Sequence, residues 1–77
     1  MIIVINEYTG TSADTPRKEL IVSGSLELAD VVAGHGSVAY VINNGLLAVY
    51  DEDNEEWIYT DGEVAYSNSD SEDVGSA

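Results

Sequence analysis

Two glycine turn dipeptides, Asn44-Gly45 and Asp61-Gly62, constrain this chain more than any other feature. Each is flanked by short segments of strand character, and the one before Asn44-Gly45 alternates. Asn-Gly between alternating runs is the strongest short-range hairpin signal, because both residues tolerate positive φ in a type I′ turn. Residues 37–43 place Val38, Tyr40 and Ile42 on one face and Ala39 and Val41 on the other. Residues 46–50 form the return strand, and Tyr40 and Tyr50 are expected to be cross-strand neighbours. Asp51-Glu52-Asp53-Asn54-Glu55 reads as a polar turn, residues 56–60 as a third strand and residues 63–66 as a fourth. The pattern predicts an antiparallel meander.

The first half is less regular. Ile2-Ile3-Val4-Ile5 is β-branched throughout and predicts a strand, either buried on both faces or pairing at a subunit interface. Residues 9–16 collect small and turn-forming side chains and predict a loop that ends at Pro16. Residues 18–22 return to strand character, and Ser23-Gly24-Ser25 breaks it. Leu26, Leu28, Val31 and Val32 fit a single helical turn or an irregular apolar stretch closed by Gly34-His35-Gly36. From Ser67 the composition falls to Ser, Asn, Asp, Glu and Gly, which predicts a disordered acidic tail. The expected fold is mainly β. It comprises a small antiparallel β-meander with an N-terminal strand and at most one short helical turn, as one domain over residues 1–66 with a flexible tail at 67–77.

Charge restricts the partners. Fifteen Asp and Glu face only Arg17 and Lys18, a formal net charge of −13 on 77 residues. Phosphate recognition runs on Lys and Arg, so duplex nucleic acid and anionic membrane surfaces are excluded as partners. No apolar run approaches the ~20 residues of a membrane-spanning helix, and no secretory signal is visible, so a soluble protein is expected. With no cysteine and one histidine, disulfides, thiolate metal sites and most catalytic constellations drop out. Self-repulsion among the carboxylates opposes the compact state at low salt, and high ionic strength or oligomerisation relieves it.

Few residues suggest chemistry. Asp51, Asp53 and Glu55, with Glu56, are the weak candidates for a hard-cation site, since Ca²⁺ takes several oxygen ligands from alternating loop positions. The EF-hand spacing fails, with no glycine at the sixth loop position and Gly62 where a bidentate Glu belongs, so a solvated turn is the simpler reading. His35 lies between two glycines with no nucleophile or paired carboxylate at a recognisable spacing, and reads as a loop histidine. Arg17 and Lys18 read as surface cations that pair with nearby carboxylates or with an acidic neighbour. No cofactor, catalytic residue or enzyme activity is expected. The contact surface is assigned to Ile3, Ile5, Tyr40, Tyr50, Trp57 and Tyr59, with ordinary core packing as the competing role for the aromatic rings.

The segment Gly36-Ser37-Val38-Ala39-Tyr40-Val41-Ile42, then Asn44-Gly45-Leu46-Leu47-Ala48-Val49-Tyr50-Asp51, then Glu55-Glu56-Trp57, resembles a short module of small tailed-virus proteins. That module runs from a GS-x-AYVI strand through a tight turn and a YVYD strand to acidic residues and a Trp. The chain departs from it at Leu46, Leu47 and Ala48, where an aromatic often precedes the second strand's tyrosine. The resemblance implies a virion accessory of the head-fibre, capsid-decoration or tail-associated kind, whose β-meander docks on other virion proteins or on copies of itself. It brings no catalytic residues. Location would be the virion, and the host cytoplasm during assembly. Abundant acids and a single lysine further suggest a halophilic host. The alternative is an anti-defence inhibitor that mimics DNA, which would line its carboxylates along one face.

Overall fold

The computed structural model describes residues 1–8 and 15–67. Residues 9–14 of the loop expected over 9–16, and residues 68–77 of the tail expected over 67–77, lie outside the described residues, while Ser67 is the last residue of a strand. Six strands form one sheet in sequence order: β1 (Ile2–Tyr8), β2 (Arg17–Val22), β3 (Val38–Val41), β4 (Leu46–Asp51), β5 (Glu56–Tyr59) and β6 (Val64–Ser67). The fold is mainly β, and among the described residues its helical content is one short 3₁₀ helix, Ser25–Asp30, in the β2–β3 connection.

The sheet is mixed. β3 to β6 form the antiparallel meander, and β1 pairs antiparallel with β2, but β2 and β3 run parallel. A parallel step needs a crossover of a dozen or more residues, and residues 23–37 supply it. The 3₁₀ helix packs against both β2 and β6, so the crossover lies across the sheet. Alternation along a strand does not encode strand direction, and the parallel step was therefore invisible in the pattern.

One face of the sheet is covered. Leu20, Val22, Ala39, Val41, Ala48 and Trp57 point to it, and Leu28 of the 3₁₀ helix fills the middle. Ala39 and Ala48 pair directly and are small, which lets the crossover lie close. Leu26 and Val32, by contrast, are 80% and 71% exposed. Ser37 is buried where the crossover returns to the sheet. Its hydroxyl accepts the Lys18 N–H at 2.9 Å and donates to the Gly34 carbonyl at 2.6 Å.

The β3–β4 turn departs from the expected form. Val41 pairs with Leu46 across a loop of residues 42–45, in which only Gly45 has positive φ, 71°. A two-residue type I′ turn needs positive φ at both central positions. The wider loop pairs Tyr40 with Leu47. Tyr40 and Tyr50 are therefore on opposite faces instead of being neighbours. β1 is longer than expected, continues past a bulge at Ile5, and is exposed along its whole length. Of the two roles expected for Ile2-Ile3-Val4-Ile5, burial on both faces is overturned.

Candidate interaction surface

Among the described residues no layer covers the second face of the sheet. Two cross-strand rows of apolar side chains run over it. The first is Ile3, Ile21, Tyr40 and Leu47 on β1 to β4. The second is Val38, Val49, Ile58 and Val64 on β3 to β6. Exposure reaches 45% at Ile3, 43% at Leu47 and 49% at Val64. Single exposed apolar residues are ordinary on a protein surface, whereas a contiguous set spanning six strands is a candidate contact region.

The register sorts the residues expected at the contact surface. Tyr40 and Ile3 lie on this face, and Ile5 projects from the β1 bulge. Trp57 does not, being 1% exposed in the core. Tyr50 pairs with Trp57 at a ring-centroid distance of 5.1 Å, and Tyr59 pairs with Ala48, so both pack from the covered side. Of the set, Tyr50, Trp57 and Tyr59 hold the domain together. The residues missed were Ile21, Val38, Leu47, Val49, Ile58 and Val64. Alternation already put Val38 with Tyr40, and extending it through the hairpin would have reached Leu47 and Val49.

Charge is arranged around this face. Three described acids reach it: Glu19 pairs with Val38 and stands on the β2 side of the second row, while Asp51 and Glu56 pair at one end. Arg17 sits at the same end with its guanidinium 4.0 Å from the centre of the Tyr8 ring. Glu19 accepts hydrogen bonds from the Asn6 amide and the Tyr8 hydroxyl, both at 2.9 Å. The other described acids lie in turns, in the 3₁₀ helix, or at Glu7 beside Lys18. Among the described residues the one ion pair joins the Met1 ammonium to Glu27. Arg17 and Lys18 make no carboxylate pair there, and the Lys18 ammonium donates to the Val32 carbonyl at 2.6 Å.

The acidic turn is built as a turn. Asp51 accepts the Asn54 side-chain amide at 2.7 Å and the Asp53 N–H at 3.1 Å, and Glu55 holds a left-handed φ of 54°. Among the described residues no three His, Asp or Glu side chains converge to hold a metal ion. Asp51, Asp53 and Glu55 are not brought together as ligands. His35 accepts the Glu52 N–H on Nδ1 at 3.1 Å, which ties the 35–36 turn to the β4–β5 turn.

These hydrogen bonds shift three carboxyls in one direction. The Asn54 amide holds Asp51 below its usual range, Asn6 and then Tyr8 do the same for Glu19, and the N-terminal ammonium and the Ser23 N–H for Glu27. A carboxyl whose folded-state pKa is depressed contributes stability above its unfolded value, and loses it as pH falls through the folded value. All three are solvent-accessible, so each effect is small. Followed by carboxyl-carbon NMR, Asp51, Glu19 and Glu27 are expected to titrate below the ordinary carboxylate range. Ordinary titration of Asp51 would show that the turn's hydrogen bonds do not persist in solution. Tyrosines move the other way: burial and then the nearby Glu55 raise Tyr50, and the bond to Glu19 raises Tyr8.

Searches against protein-family models, curated proteins and solved structures return no match to this chain.

Proposed function

We propose that this chain is a non-enzymatic structural subunit of a tailed-virus particle and works through protein–protein contacts. The observation that carries the contact role is the uncovered apolar face spanning the sheet. Val38, Tyr40, Leu47, Val49 and Ile58 form its middle. Of these, Val38, Tyr40 and Val49 belong to the segment that resembles the virion-accessory module, which supports the viral reading. Interface centres are depleted of charge relative to the surrounding surface, and here Glu19, Asp51 and Glu56 are the only described acids on the face, Glu19 on its β2 side and the other two at one end. A DNA mimic would instead use a row of carboxylates as its contact surface, so this distribution favours the structural role.

Mass spectrometry of purified particles, with peptides of this chain quantified against the major capsid protein, tests the proposal. A fixed stoichiometric ratio through successive density gradients is expected. Absence from particles, combined with salt-sensitive competition against DNA for a basic enzyme, would replace it with the inhibitor reading.

A further inference from the structure

We propose that the open face is covered by the same face of a second copy, so that two sheets pack into a two-fold symmetric sandwich. The inference rests on reading this face as a protein contact surface. It adds the identity of the partner and the way it sits.

Area is the first argument. Six strands about 4.8 Å apart, each rising about 3.3 Å per residue over seven residues in β1 and four to six in β2 to β6, give a face of roughly 29 by 13–20 Å over most of its width. Two such faces remove about 750–1,150 Å² before side-chain relief is counted, which brings the pair to the ~1,000 Å² expected of a specific interface. Face-to-face sheets pack about 10 Å apart with strands within about 30° of each other.

The second argument is that the face complements itself. Place the two-fold axis parallel to the strands, midway between the sheets. Strand order then reverses across the interface while position along the strands is kept. β3 lies over the partner's β4, so Val38 meets Val49 and Tyr40 meets Leu47, apolar against apolar. β2 lies over the partner's β5. Arg17 is level with Asp51 and Glu56 along the strands, so it meets the partner's Glu56. The chain's one arginine thus falls opposite the acidic corner of the other copy. Such an isologous contact closes on itself and leaves no open surface for further growth.

The remaining charge sets the sign of the salt effect. Each copy carries −13, and most of the described acids lie away from the face, so added salt screens repulsion and strengthens the dimer. A complex with a basic partner would respond in the opposite way.

Sedimentation equilibrium of the full chain, from low salt to 2 M NaCl, tests the proposal. A monomer–dimer equilibrium that tightens with salt is expected. Val49→Lys should weaken association at least tenfold although it lowers the net negative charge, and Leu47→Lys should do the same. Leu26→Lys, on the exposed side of the 3₁₀ helix, should leave association unchanged. Arg17→Glu should weaken the dimer, and adding Glu56→Arg should restore it. Circular dichroism of the buried Trp57 reports whether each variant is folded. Dimers that survive Val49→Lys and Leu47→Lys but are lost with Val4→Lys would place the contact on the β1 edge and overturn the sandwich. A chain that stays monomeric at every salt concentration overturns self-association, and leaves the particle experiment to judge the structural role separately.

Discussion

Trp57→Ala is expected to leave the domain largely unfolded at 25 °C. Trp57 is the largest side chain of a small core in which Ala39 and Ala48 fill the neighbouring positions. It pairs with Tyr50 on β4 and Tyr66 on β6, so its removal opens a gap shared by three strands. Truncating a buried Trp costs about 3–5 kcal/mol, and a core of this size rarely supplies more than about 3–5 kcal/mol of net stability. The two quantities are comparable. Urea unfolding at high salt, read by far-ultraviolet circular dichroism, checks this, with Trp57→Phe expected to retain a cooperative transition. A cooperative Trp57→Ala protein that has lost less than about 1 kcal/mol would mean that the ring is not the centre of the fold.

Gly34→Ala is the second large effect, for a different reason. A Cβ at this position would lie 2.2 Å from the Thr15 carbonyl oxygen and 2.9 Å from the Pro16 carbonyl carbon. Both are backbone atoms and cannot turn aside. Gly34 also donates its N–H to the Pro16 carbonyl at 2.9 Å, so the two segments must stay close for that bond to persist. Overpacking of this kind costs about 1–3 kcal/mol, and here the displaced segment leads directly into β2. Gly62→Ala provides the contrast. Gly62 has φ of 98° with nothing within 4 Å of an added Cβ, so only backbone strain of order 1 kcal/mol applies. Urea midpoints should rank the native chain above Gly62→Ala, and that variant above Gly34→Ala. A reversed order would contradict the close approach at Gly34.

The meander was legible because its signals are local. Alternation sorted Val38 and Tyr40 from Ala39 and Val41, and the turn dipeptides set the strand boundaries to within a residue or two. The choice of covered face was not legible. Alternation says which residues share a face, and the crossover through Leu28 decides which face is buried. For that reason Trp57 and Tyr59 could be taken for contact residues. The opposite facing of Tyr40 and Tyr50 was available in principle. A hairpin loop of two or of four residues pairs even positions with odd ones, so two even-numbered residues on paired strands cannot share a face. The proposed virion role rests on a resemblance over residues 36–57, and neither alternation nor charge could name it. The contact surface could be read only after β1 and β6 had been placed at the two edges of one sheet.

The single parallel step between β2 and β3 also bears on the order in which the sheet assembles. The other strand pairs join strands that follow each other closely along the chain, and closing such short separations costs little entropy. Glu19 to Val22 instead meet Val38 to Val41 only after the whole crossover has been laid down. Non-local pairings of this kind are slow to form. Nucleation therefore belongs to the meander of β3 to β6, and β1 with β2 adds late, when the crossover closes over Leu28. A late-arriving pair is also the first to leave. The strand with the longest exposed apolar run is thus held by the last contact to form.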